Sequence, residues 1–256
     1  MKIFGIAVAP MYLITIFLLL MLVSFASISL SAFPYAFVAA VIICAMTELA
    51  MAKYYMKHSK LKFPFSGIIT GMIIGAVSPI SANFAVIAFA SVIAILSKFM
   101  IKLKNVNVFN PSSFGMLVGL GIFSIGDEWW ASSTISMNSI AIPLALVLVI
   151  AAYSARRTTT ALSYIAAFVI ASMLLTNAPL LSGLEASLLG VNYFFALLML
   201  TEPKTSPHKG IEQMAYGAMV AVAYVVIAYE GVHYSYFAAL LACNLAYAIY
   251  RKKFGR

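Results

Sequence analysis

The sequence predicts an all-α polytopic membrane protein: about ten transmembrane helices in two inverted five-helix repeats with broken helices. Three observations carry this. Hydrophobic residues fill 64% of the 256 positions and charged residues only 9%, whereas a soluble domain carries about 25% charged residues and needs them to face water. The apolar residues form long runs divided by short polar stretches, the pattern of spanning helices rather than of the shorter, alternating strands of a barrel. The lysines and arginines collect on one side when those runs are counted as crossings.

The runs fall at about 11–31, 33–55, 64–78, 82–102, 111–125, 137–154, 158–175, 188–201, 211–229 and 234–250. The first follows Lys2 and is longer than the apolar region of a signal peptide, so it reads as a retained span. Lys53, Lys57, Lys60 and Lys62 separate spans two and three; Lys98, Lys102 and Lys104 separate four and five. Arg156 and Arg157 come between six and seven, Lys204 and Lys209 between eight and nine, and Arg251, Lys252, Lys253 and Arg256 after ten. The alternate loops hold only Asp127, Glu128, Glu185 and Glu230. The positive-inside rule then places both termini in the cytoplasm of a multi-pass plasma-membrane protein. One missed span would scatter the later charges, so the distribution supports the count. It also accounts for the net charge of +9 without a nucleic-acid partner, which would need clustered bases with interleaved aromatics. Residues 1–256 read as a single transmembrane domain, first repeat 1–126 and second repeat 137–256, with the lipid bilayer as its first partner and homo-oligomers open.

Spans three and eight are short, about 14 or 15 residues or roughly 21 Å of helix, against a hydrocarbon core of about 30 Å. Each ends near a Ser-Pro, Ser78-Pro79 and Ser206-Pro207. Five spans per half is an odd number, so the halves are inverted, and paired short segments at matching places point to a site near the midplane. Proline at 203 ends span eight by removing an amide donor. The freed carbonyls need partners, and non-helical backbone at that depth survives only inside protein or along a watery cavity. Thr201, Glu202, Thr205 and Ser206 are therefore expected to line a pathway or to satisfy the break. At the first break, Asn110 caps span five with Pro111 in its first turn, and Ser112 joins the candidate pathway.

The run Thr201-Glu202-Pro203-Lys204-Thr205-Ser206-Pro207, after Tyr193-Phe194-Phe195, resembles the Thr-Asp/Glu-Pro-x-Thr-x-Pro signature of the NqrB/RnfD membrane subunits, and Asn110-Pro111 with Phe114-Gly115 resembles their Asn-Pro-x-x-Phe-Gly element. The resemblance covers nearly the whole chain. It implies ten spans in two inverted halves, a fold similar to that of urea transporters. It also implies work within a sodium- or proton-coupled electron-transport complex, with flavin (FMN or riboflavin) as cofactor and other subunits as partners. In that family FMN is esterified to a threonine in an outside loop. The segment here most similar to that pattern is Glu128-Trp129-Trp130-Ala131-Ser132-Ser133-Thr134. It keeps the acid and the terminal threonine, Thr134, and differs between them. The alternative for this loop is an interfacial belt formed by Trp129 and Trp130.

Glu48 is the carboxylate furthest inside a run, and a charge there costs about 2.5–3.5 kcal/mol. It is expected to hold a proton or cation or to hydrogen-bond a ligand, the alternative being a neutral or snorkelling side chain near the headgroups. No lysine or arginine is read as lying inside a span, so anion-pairing or voltage-sensing pathways have no support. Gly67, Gly71 and Gly75, and Gly115 and Gly119, recur every four residues and predict close helix packing. Cys44 and Cys243 lie in apolar runs and read as small hydrophobes. His58, His208 and His233 fall in loops or at ends, without the spacing for haem or zinc. No phosphate-binding loop or nucleophile elbow is present, so any enzymatic role is that of a subunit not catalytic alone. The alternative function is a stand-alone transporter or channel for a small polar solute or vitamin on the same scaffold.

Overall fold

The structure, a computed structural model, describes residues 2–3, 6–7, 10–28, 35–57, 62–103, 106–130, 141–176 and 179–254. The chain forms two compact units, Met1–Val147 and Leu148–Arg256.

In the first unit, Lys2–Ile3 (β1) pairs with Ile6–Ala7 (β2), and five helices follow in full among the described residues. These are α1 (Pro10–Ile28), α2 (Tyr35–Ala50), α3 (Phe65–Val77), α4 (Phe84–Met100) and α5 (Pro111–Phe123). A π-helical turn, Met51–Tyr55, continues α2. Helix α2 packs against both α3 and α4, and α5 packs on α4. The glycine spacing explains the first contact. A Cβ on Gly67 would strike the Glu48 carboxylate, one on Gly71 the Ala40 carbonyl, and one on Gly75 the Phe37 backbone. Three successive turns of α3 thus lie directly on the backbone of α2, as the spacing predicts. Gly115 and Gly119 bring α5 against Ala90 and Ala94 of α4 in the same way. A hairpin of Lys102–Leu103 (β3) and Val106–Asn107 (β4) links α4 to α5.

The boundary between units falls within α6 (Ala141–Ser154). The second unit continues with α7 (Thr158–Thr176), α8 (Leu180–Leu189), α9 (Gly210–Tyr229) and α10 (Ser235–Phe254). Helix α9 packs along α7 and α10. At Gly217 it comes so close that a Cβ would meet Ser163 and the Thr160 carbonyl.

Among the described residues, three helices are long and apolar enough to cross a bilayer: Tyr35–Tyr55, Thr158–Thr176 and Gly210–Tyr229, of 21, 19 and 20 residues. Helix α8 makes the same point by its faces. Its leucines are turned outward, Leu181 being 82% exposed, while Gly183 and Ser187 are buried. Water would favour the reverse; lipid favours small residues at helix contacts. The molecule is a helical membrane protein.

The eighth apolar run departs from the expected single span 188–201. Helix α8 begins earlier and stops at Gly190. Asn192 Oδ1 then accepts from the Phe195 amide at 3.0 Å and starts a second segment, π-helical over Phe195–Met199. The segment expected as a loop between spans seven and eight, with Glu185 in it, is in large part this helix, because hydropathy alone does not register a helix whose inward face is small and polar.

Candidate functional site

The Thr201–Pro207 break is built from its own side chains. Thr201 Oγ1 donates to the Leu197 carbonyl at 2.7 Å, taking one of the acceptors that the end of the helix leaves open. The chain then turns so that the amides of Thr205 and Ser206 both donate to the Glu202 carbonyl. Ser206 Oγ donates to the same oxygen at 2.7 Å, and Thr205 Oγ1 to the Glu202 carboxylate at 3.3 Å. All four expected residues therefore meet in one turn, with Thr201, Thr205 and Ser206 buried.

Arg157 holds this turn in place, and the sequence reading missed it. Read as a loop cation, it is 2% exposed. Its Nε donates to Ser206 Oγ at 2.9 Å, Nη1 to the Ala155 and Arg156 carbonyls, and Nη2 to the Pro203 carbonyl and to His208 Nδ1 at 2.8 Å. A guanidinium has five N–H donors, and each has a neutral acceptor here. Among the described residues no carboxylate pairs with Arg157. Burial pushes the guanidinium below its ordinary value, where it remains charged. His208 Nδ1 accepts this bond only in the neutral ring with its proton on Nε2. Partial burial, then the guanidiniums of Arg157 and Arg251, hold His208 below its usual value, with Glu212 opposing. Gln213, in the first turn of α9, donates to the Arg156 and His208 carbonyls at 2.9 and 3.1 Å and ties both strands of the site to that helix. Sequence offered no means of separating Arg157 from its exposed neighbour Arg156.

The first unit holds the other charged centre. Glu48 has an ion-pair partner, because Lys98, expected outside the spans, lies within a helix: Lys98 Nζ is 2.6 Å from Glu48 Oε1 and 2.6 Å from Ser66 Oγ. Lys98 was assigned to the loop after span four, but α4 runs on to Met100 and buries it. The signal was its position, three residues before the apolar Phe99-Met100-Ile101 ends the run. The second carboxylate oxygen, Glu48 Oε2, is buried without a hydrogen-bond partner. It faces Gly67, whose missing side chain leaves it room. Chemically this is a carboxylate with one oxygen compensated and one open to a proton or small cation.

At the first break, Asn110 caps α5 as expected. Its Oδ1 accepts from the Ser113 amide at 3.0 Å and from Ser112 Oγ at 2.8 Å, with Pro111 in the first turn. Phe109 and Phe114 stack across the cap at 5.3 Å, the apolar staple that fixes how a chain enters a helix. Asn110 and Ser112 are thus bonded to each other and to the helix start.

Thr134, the expected flavin-bearing threonine, lies outside the described residues with the rest of 131–140. Of the two tryptophans before it, Trp129 is half-buried, its indole N–H donating to the Asp127 carboxylate at 2.7 Å, and Trp130 does not stand at a surface. Trp130 is buried, its indole N–H donating to the Gly75 carbonyl at 2.9 Å and its ring against Phe37. Glu128 accepts from the Ile80 amide at 2.9 Å, so this loop folds back onto the end of α3. Among the described residues no group of histidine, cysteine and carboxylate side chains is arranged to hold a metal ion. No protein-family model matches the sequence, and no curated protein matches it at a significant level.

Proposed function

We propose that the chain is the membrane-embedded subunit of an ion-coupled electron-transport complex, resembling NqrB/RnfD proteins. In this reading it has about ten spans in two inverted halves, both termini in the cytoplasm, a bound flavin and partner subunits. The observation that carries the reading is a matched pair of serines. Ser78 Oγ donates to the Ile74 carbonyl at 2.6 Å and Ser206 Oγ to the Glu202 carbonyl at 2.7 Å. Each is the residue before a proline, each is buried, and each closes the turn four residues back. The helix order around them agrees: in each half the second helix packs on the fourth and the fourth on the fifth. Every polar position of the Thr-Glu-Pro-x-Thr-x-Pro pattern has a bonding task in the second break, which gives the resemblance a physical basis. A flavin would supply the electron transfer; the chain itself supplies a buried carboxylate, Glu48, beside an ammonium.

The test is an absorbance spectrum of protein purified from its native host, with an ultraviolet-illuminated denaturing gel of the same sample. A flavin spectrum and co-purifying redox subunits are expected, and a fluorescent band lost in Thr134→Ala would place covalent flavin there. Colourless protein without redox partners overturns the reading. The open oxygen of Glu48 favours one other function, a stand-alone pathway for a small polar solute. Proteoliposomes whose flux equals that of empty vesicles would remove it.

A further inference from the structure

The second unit gathers cations at one end. Arg157, in the turn before α7, reaches Pro203 and His208, and Gln213 at the start of α9 reaches Arg156. On α10, Asn244 donates to the Tyr216 hydroxyl, the Tyr247 ring packs on Tyr216, and Arg251 lies 5.8 Å over Tyr247. These contacts bring the starts of α7 and α9 and the end of α10 together. Arg156, Lys204, Lys209, Arg251, Lys252 and Lys253 share that end. The acids among them are Glu202, bonded to Thr205, and Glu212, 3.6 Å from Lys209. The segments at the opposite ends of these helices, 177–192 with α8 and 230–234, contain Glu185 and Glu230 and no lysine or arginine.

A second feature identifies the partner. Large apolar side chains stand exposed beside the cations: Ile211, 82% exposed, and Met214 after Lys209, and Tyr250 and Phe254 around Arg251–Lys253. A soluble anion or a nucleic-acid backbone offers nothing to this border. A phospholipid offers both a phosphate and, directly beneath it, glycerol and acyl chain. We propose that this end of the second unit binds the phosphate groups of anionic phospholipids, with the lysines at the headgroup and the exposed apolar side chains below it. The surface stands independently of the electron-transport reading.

The experiment is native mass spectrometry of the full chain, released from nanodiscs of phosphatidylcholine mixed with phosphatidylglycerol. Preferential retention of phosphatidylglycerol, weakened by added salt, is expected. The variant Lys204→Gln/Lys209→Gln/Lys252→Gln/Lys253→Gln should reduce that preference, by about fivefold for each lysine that lies against the anionic surface. Equal retention of the two lipids by the unaltered protein overturns the proposal, as does an unchanged preference in the variant. So does competition by glycerol phosphate or an acidic peptide as effective as that of phosphatidylglycerol, because either dispenses with the acyl chain. If the quadruple variant does not fold, Lys204→Glu alone, at an exposed turn position, is scored by the same criteria.

Discussion

Breaking a buried ion pair from one side leaves the other charge uncompensated, at a cost of about 3–5 kcal/mol. The side chains of Lys98 and Glu48 are only 9% and 16% exposed, so that cost applies to them. Lys98→Met and Glu48→Gln should each lower the unfolding temperature in detergent, while the double variant should recover most of the loss. Additive losses in the double variant would show that the two side chains are not coupled. His208 gives a prediction in pH. Its folded value lies below the unfolded value of about 6.5, so the unfolded chain binds more protons in between. The stability from the Arg157–His208 contact is therefore complete above about pH 6.5 and is lost as pH falls through the depressed folded value. Protonation would also set imidazolium against guanidinium. Unfolding curves across that range should slope for the natural protein and flatten for His208→Gln, which keeps an acceptor for Arg157 without titrating. Equal slopes would remove His208 as the origin.

Helix contacts in the first unit are made by backbone, and this sets which glycines are replaceable. At Gly71 an added methyl group meets the Ala40 carbonyl and Val41 Cα, which cannot swing aside as a flexible side chain would. Gly71→Ala should cost about 1–3 kcal/mol, the range for overpacking. Gly121, in α5, has open space where its Cβ would be, so Gly121→Ala should be neutral or stabilising by up to about 1 kcal/mol. Thermal unfolding of the two variants side by side checks this, and equal losses would contradict close α2–α3 contact. These glycines were legible because their four-residue spacing follows from helix geometry alone. The Asn110 cap was legible because Asn-Pro at a helix start has a local mechanism. Trp130 and α8 were not. Whether an indole faces lipid or the Gly75 carbonyl depends on a loop folding back, and whether leucines face in or out depends on the solvent.

At the scale of the whole chain, the one-sided distribution of lysine and arginine organised the reading of the apolar runs, and most of those runs correspond to helices. The same rule hid the two cations with the most developed hydrogen bonding. Treating every basic residue as a loop marker put Lys98 and Arg157 outside the helical body, although α4 buries one and the Thr201–Pro207 turn buries the other. Charge counting reports which side of the bilayer a residue is near, not whether a neighbouring helix covers it. The topology itself is open to a direct check. In a bacterial host, green fluorescent protein fused after Arg256 should fluoresce, and alkaline phosphatase fused after Glu230 should be active. The reverse pattern would invert the assigned orientation.

The glycine seam between α2 and α3 also limits permeation. Where backbones touch at Gly71 and Gly75, the interval between the helices is too narrow for a water molecule, and Gly115 and Gly119 close the α4–α5 interval in the same way. Neither seam can conduct. Any ion or solute that reaches the open oxygen of Glu48 must therefore approach by some route other than these two glycine seams, and substitutions that widen them should create a leak rather than speed a native pathway.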